Sequence, residues 1–179
     1  PTVQSTGPLF PEGEPPLSGR RRGGIQMEDA RDLDTDRLVA IAEAGGIKPL
    51  VQLLDPSLST AQARENAAGA LWHLALNREN QVNIAKVNGI APLVTVLDDG
   101  TAEAHQHAAD ALARLATNNA DNQAHIAKHC VNLLGNLKVG AQRRAAKALK
   151  DLADDNPGSP VVIVNAGAIS PLVSVLSNG

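Results

Sequence analysis

Aromatic residues are nearly absent from this chain: one tryptophan, one phenylalanine and no tyrosine in 179 residues. A core must therefore be assembled from Ala, Leu, Val and Ile, which suits closely packed helices better than a β-sandwich. The single cysteine, Cys130, rules out an intramolecular disulfide and a cysteine-based zinc site, and it fits a reducing compartment. No apolar run approaches the ~18–20 residues of a membrane span, and the N-terminus lacks a signal-peptide apolar region. With no such segments, an intracellular and most simply cytoplasmic location is expected, with the nucleus or an organelle as alternatives. Charge of one sign is also lacking. Sixteen Lys and Arg against 19 Asp and Glu leave a net charge of −3, without the basic excess of a dedicated nucleic-acid binder.

Catalytic signatures are missing as well. No Walker loop, nucleophile elbow or dinucleotide fingerprint follows a plausible strand. His125 and His129 stand at i, i+4 beside Cys130, a spacing that could offer two imidazoles to zinc, but no glutamate follows His125 and no third ligand is evident. His105 and His107, at i, i+2, point about 160° apart on a helix, which prevents shared ligation. Asp98–Asp99 and Asp154–Asp155 read as turn carboxylates that satisfy free backbone donors. Cys130 has no base partner to activate it. The expectation is a non-enzymatic chain with no cofactor, no metal and no small-molecule substrate.

What is present is repetition. Residues 1–35 hold five of the eleven prolines, and "GPLFPEGEPPLSGRRRGG" reads as an extended arm. From about Asp36, Ala, Leu, Ile and Val recur at helical spacing. "RENAAGALWHLA" (64–75), "HQHAADALARLA" (105–116) and "QRRAAKALKDLA" (142–153) align, with Leu71, Leu112 and Leu149 separated by 41 and 37 residues. A second motif keeps step: "GGIKPLVQLL" (45–54), "NGIAPLVTVL" (88–97) and "AGAISPLVSVL" (166–176), with a degraded copy in "HCVNLLGNL" (129–137). A third pairs "ENQVNIA" (79–85) with "DNQAHIA" (121–127). A unit of about 40 residues that repeats in this way signals a helical solenoid.

Local chemistry fits short helix, glycine turn, short helix, turn, long helix. Gly46, Gly89 and Gly167 are placed at the first corner, where a positive φ is expected. Pro49, Pro92 and Pro171 fall in the first turn of the second helix, where a missing N–H costs nothing. Thr101 can cap the long helix, with Glu103 near its positive end. In the third unit "KHCVN" lacks both the glycine and the proline, which predicts a compressed or irregular corner.

Over residues 36–179 these paired motifs resemble the armadillo repeat family. The resemblance implies an all-α superhelix of three-helix repeats, about three and a half in number, whose concave groove is lined by the long third helices. The division is then 1–35 as arm and 36–77, 78–118, 119–155 and a partial 156–179 as repeats. The chain opens at Pro1 rather than Met and stops in mid-pattern, which reads as a fragment or processed product. It is expected to leave Ile169, Leu172, Val173 and Leu176 uncovered unless another chain or further sequence packs there.

A wheel over the first long helix places Ala67, Ala68, Ala70, Leu71, Leu74 and Ala75 on one arc, with Gln62, Asn66, Gly69 and His73 opposite. Trp72 falls at the arc's edge and is expected to pack against a neighbouring helix. The matching face of the second repeat carries Glu103, His107, Asp110 and Arg114, and that of the third Gly140, Arg144, Lys147 and Asp151. In armadillo proteins the positions of His73, Arg114 and Asp151 are typically asparagines that clamp an extended peptide's backbone. The positions of Gly69, Asp110 and Lys147 are often tryptophans. Both ladders are missing, so seating of a basic peptide in the manner of nuclear-import receptors is not implied.

The reading that follows is a scaffold or adaptor that binds a protein segment along this groove. Its contact residues are Asn66, His73, His107, Asp110, Arg114, Arg144, Lys147 and Asp151, with the basic side toward Arg143, Arg144 and Lys147. Arg20, Arg21 and Arg22 of the arm supply a second contact. A constitutive subunit of a large multiprotein assembly is the alternative, and a nucleic-acid-associated protein, suggested by the basic arm, comes third.

Overall fold

The computed structural model describes residues 36–135 and 138–177. The N-terminal arm, with Arg20, Arg21 and Arg22, lies outside the described residues. Helices account for all the regular structure that is described: α1 (36–43), α2 (Ile47–Gln52), α3 (Ala61–Leu74), α4 (Arg78–Lys86), α5 (Ile90–Asp98), α6 (Ala102–Ala116), α7 (Ala120–Leu134), α8 (Val139–Asp155), α9 (Ser159–Asn165) and α10 (Ile169–Ser177). The long helices stack side by side, α3 on α6 and α6 on α8, and the shorter helices pack behind them.

The corner between the two short helices is a Schellman motif, made three times. Gly45, Asn88 and Gly167 take the left-handed conformation at φ +78°, +58° and +85°. Each donates its N–H to the carbonyl three residues back (Ala42, Ala85, Val164), and the next N–H reaches five back, from Gly46 to Ile41, Gly89 to Ile84 and Ala168 to Ile163. The expected positive φ at Gly46 and Gly89 is thus one residue off: both are right-handed, at −65° and −69°. Glycine is needed there for space. A Cβ on Gly89 would stand 2.7 Å from the Ile84 Cγ2, and one on Gly46 2.8 Å from the Ile41 oxygen. Pro49, Pro92 and Pro171 each occupy the third position of their helix, where the N–H has no intrahelical acceptor to lose.

The third corner differs from the expectation. It is not irregular but absent, because α7 runs unbroken from Ala120 to Leu134. Without a glycine to turn left-handed or a proline to restart the chain, helix propagation through "KHCVN" is the favoured path.

Threonines head the first two long helices: Thr60 accepts from the Ala63 N–H at 3.2 Å and Thr101 from the Ala104 N–H at 3.0 Å. Asparagines do the same for α4 and α7, through Asn77 and Asn119. The recurring Asn-Gln pair then closes the far ends. Gln81 donates to the Ala75 carbonyl at 3.0 Å, Gln123 to that of Ala116 at 2.9 Å and Asn122 to that of Leu115 at 2.8 Å. These carbonyls belong to the last turns of α3 and α6, which would otherwise be left without partners.

The core is aliphatic, as the composition requires. Ala67, Ala68, Ala104, Ala108, Ala111 and Ala145 are fully buried where the long helices meet, and Leu71, Leu74, Leu93 and Leu115 fill the layer behind. At the last repeat Ile169, Val173 and Leu176 are exposed as expected, whereas Leu172 is half-buried against the core. Asp154 and Asp155 are the final residues of α8 rather than turn residues. Among the described residues no single helix is long and apolar enough to cross a membrane.

Candidate functional site

Burying the Ala–Leu seams of α3, α6 and α8 forces their polar residues onto one shared face. Asn66, His73 and Lys147 are exposed there, and His107, Asp110, Arg114, Arg144 and Asp151 are half-buried. The structure sorts these residues into two groups.

The first gathers around Trp72. The His73 ring lies 4.5 Å from the indole, and His107 stacks on it at 5.9 Å with 13° between planes. The Arg114 Cζ stands over the ring 5.6 Å from its centroid. Gly69 makes this possible: a Cβ there would meet the His107 Nδ1 at 3.2 Å, so the missing side chain leaves the space that the imidazole fills. Trp72 does pack against a neighbouring helix, as expected: half-buried against the aliphatic core, it also meets His107 and Arg114 on the polar face of α6.

The second group lies between α6 and α8, around a cleft of about 180 Å³ lined by His105, Gln106, Arg144, Lys147 and Asp151. Lys147 pairs with Asp151 at 2.7 Å along α8. Arg144 is turned away from a partner. Its Nε donates to the Leu97 carbonyl and its Nη2 to the Asp98 carbonyl at 3.4 Å, so it closes the end of α5. Of the basic side expected through Arg143, Arg144 and Lys147, Arg144 lines the cleft while its guanidinium reaches carbonyls of the neighbouring helix, and Arg143 and Lys147 are exposed. Asn66 belongs to neither group and accepts from Gln62 at 3.3 Å; Asp110 accepts from Gln106 at 2.9 Å.

Burial pushes the Cys130 thiol up to about 12, far from a thiolate at neutral pH. Burial also lowers His105 and His129, assisted by Arg144 and by His125 respectively. The Thr101 hydroxyl, with Gln62, holds the Glu65 carboxyl below its ordinary value. Among the described residues no three His, Cys, Asp or Glu side chains converge as a metal site would require.

Two members of the site escaped the sequence reading. Trp72 is one, and the only signal for it was its place beside His73 at the edge of the apolar arc. His105 is the other, visible in advance only as one half of an i, i+2 histidine pair.

Residues 35–76 match the model of the Armadillo/beta-catenin-like repeat. Two crystal structures of engineered proteins from a structural genomics consortium resemble the chain at 30% identity and a TM-score of 0.58. One match covers 83% of this chain and 64% of that protein, the other 87% and 40%, so the chain spans less than two thirds of either. A designed armadillo repeat protein in complex with the peptide (KR)4 matches at 27% identity and a TM-score of 0.56, over 84% of this chain and 67% of that one. No curated protein matches the sequence. The repeat motif, the stacked helical units and these likenesses agree: the chain has the fold of an armadillo-type α-solenoid.

Proposed function

We propose that this solenoid is a non-enzymatic protein-binding scaffold that seats an extended segment of a partner along the face shared by α3, α6 and α8. The observation that carries this reading is the indole of Trp72 with His73, His107 and Arg114 gathered around it, beside the cleft between α6 and α8. An aromatic plane with fixed donors beside it binds a chain at low entropic cost. The complex of a designed relative with a peptide lends support. Arg20, Arg21 and Arg22 would add a second contact and raise the effective concentration of the tethered partner.

The test is charge reversal. Arg114→Glu combined with Lys147→Glu should weaken a captured partner at least tenfold while helicity is unchanged; undiminished binding overturns the reading. A constitutive subunit of a larger assembly is favoured by the exposed apolar side chains Val161, Ile169, Val173 and Leu176 on α9 and α10. That alternative predicts concentration-dependent association of the isolated chain in sedimentation velocity, whereas an adaptor sediments as a monomer.

A further inference from the structure

We propose that the site around Trp72 receives a carboxylate, so that the segment read by this solenoid is acidic. The inference rests on the peptide-binding reading above and names the chemistry it selects. Charge on the shared face is largely settled within the protein. Lys147 and Asp151 neutralise one another at 2.7 Å, and Arg144 is committed to the carbonyls at the end of α5. The nearby acids are engaged too: Glu65 accepts from the Thr101 hydroxyl at 2.7 Å and from Gln62 at 3.1 Å, and Asp110 accepts from Gln106.

Two charges are left over, Glu103 in the first turn of α6 and Arg114 in its last, and only Arg114 lies at Trp72. Among the described residues Arg114 makes no ion pair and no hydrogen bond through its side chain, and its contact is the face of Trp72. Asp110 stands one turn away on the same helix, with its carboxylate turned to Gln106. A guanidinium lying on an aromatic ring has already lost much of its rotamer freedom, and its planar donors match a carboxylate in a fork. His73, exposed beside the same indole, offers the bound segment a further donor. A lysine or arginine side chain brought to this point would meet a fixed cation instead.

Trp72 is the only tryptophan, so its emission reports this site directly. The probes are two synthetic octapeptides, alternating Glu-Gly and alternating Lys-Gly, titrated at low salt with calorimetry in parallel. The acidic peptide should change Trp72 emission saturably and bind more weakly as salt is added. Arg114→Gln should weaken it at least tenfold, Arg114→Lys less, with circular dichroism confirming that both variants keep their helix content. If the basic peptide saturates the Trp72 signal and the acidic one does not, the carboxylate site is overturned while peptide binding stands. Equal affinity of the acidic peptide for the parent and Arg114→Gln also overturns it. If neither peptide binds by either readout, this proposal and the peptide-binding reading fall together.

Discussion

Arg144 on α8 donates its Nε to the carbonyl oxygen of Leu97 in the last turn of α5, a bond that joins positions 47 residues apart. A cation held against unsatisfied carbonyls at a helix C-terminus stabilises both the carbonyls and the helix dipole. The same helix end carries a further ion pair, from Lys138 to Asp98 at 3.2 Å. Arg144→Ala is therefore expected to cost about 1.5–3 kcal/mol, the range for a hydrogen bond with a charged partner. Urea unfolding measures it. Peptide affinity should change far less than in the Arg114 variants, and a binding loss without a stability loss would return Arg144 to the groove.

Thr101 links the first two repeats with one hydroxyl. It accepts from the Ala104 N–H to cap α6 and donates to the Glu65 carboxylate on α3 at 2.7 Å. Removing the cap alone costs about 1 kcal/mol, so Thr101→Val should lower the unfolding midpoint at neutral pH while Thr101→Ser should not. The hydroxyl, with Gln62, lowers the Glu65 pKa from its ordinary 4.5. A folded-state pKa below the unfolded value adds stability that is complete above pH 4.5 and fades as the pH falls through the lowered value. Thermal unfolding should thus show the gap between the serine and valine variants narrowing as the pH drops below 4.5.

Much of this was legible in the sequence because glycine, proline and threonine act locally. Thr101 capped where it was expected to, and the prolines fell in first turns. The one-residue error at the first two corners arose because two adjacent positions are involved, the left-handed one and the next, which is crowded at Gly46 and Gly89 but takes Ala168 at the last corner. The repeats fill them differently, as Gly-Gly, Asn-Gly and Gly-Ala. Asn88 in the left-handed position carries no glycine signal at all. The fate of α7 was half-visible: the missing glycine and proline announced a changed corner, but not that the helix would run through it. The site was less legible. A wheel tells which side of its own helix a residue occupies, not which neighbour it meets, so it exposed His73 but could not set Trp72 against His107. Nor could it foresee that the guanidinium of Arg144, on a long flexible stem, would turn toward the end of another helix.

His105 lies on the same α6 with its Nε2 enclosed and without a partner. Burial lowers its pKa, the nearby Arg144 lowers it further, and Asp99 opposes both. Protonation is thus harder in the folded state than in the unfolded chain. Stability contributed by the neutral imidazole is complete above pH 6.5 and is lost as the pH falls through the lowered folded value. His105→Gln should flatten the fall in urea midpoint below pH 6.5. A residual slope of the same sign should remain, because His129 is lowered by burial and by His125 in the same way. A variant whose acid sensitivity equals the parent's would show that His105 does not titrate in this range.

Cys130 turns the integrity of α7 into a chemical measurement. The thiol is fully buried in the middle of a helix that does two helices' work, and burial pushes its pKa up to about 12. A thiol reagent therefore reaches a reactive thiolate only when the helix opens. In native buffer, labelling should be slower than in the urea-unfolded chain by at least about a hundredfold, the factor set by an opening energy of about 2.7 kcal/mol. Added urea should accelerate labelling with the slope of the global unfolding transition if α7 opens only with the whole solenoid. A shallow slope would instead mean that α7 frays as a unit, as stacked repeats can when contacts run only between neighbours. Cys130→Ser should destabilise more than Cys130→Ala, because a hydroxyl placed among Leu and Ile side chains lacks the partners its burial demands. Equal losses in the two variants would mean that the serine finds an acceptor, the carbonyl four residues back on α7 being the nearest in reach.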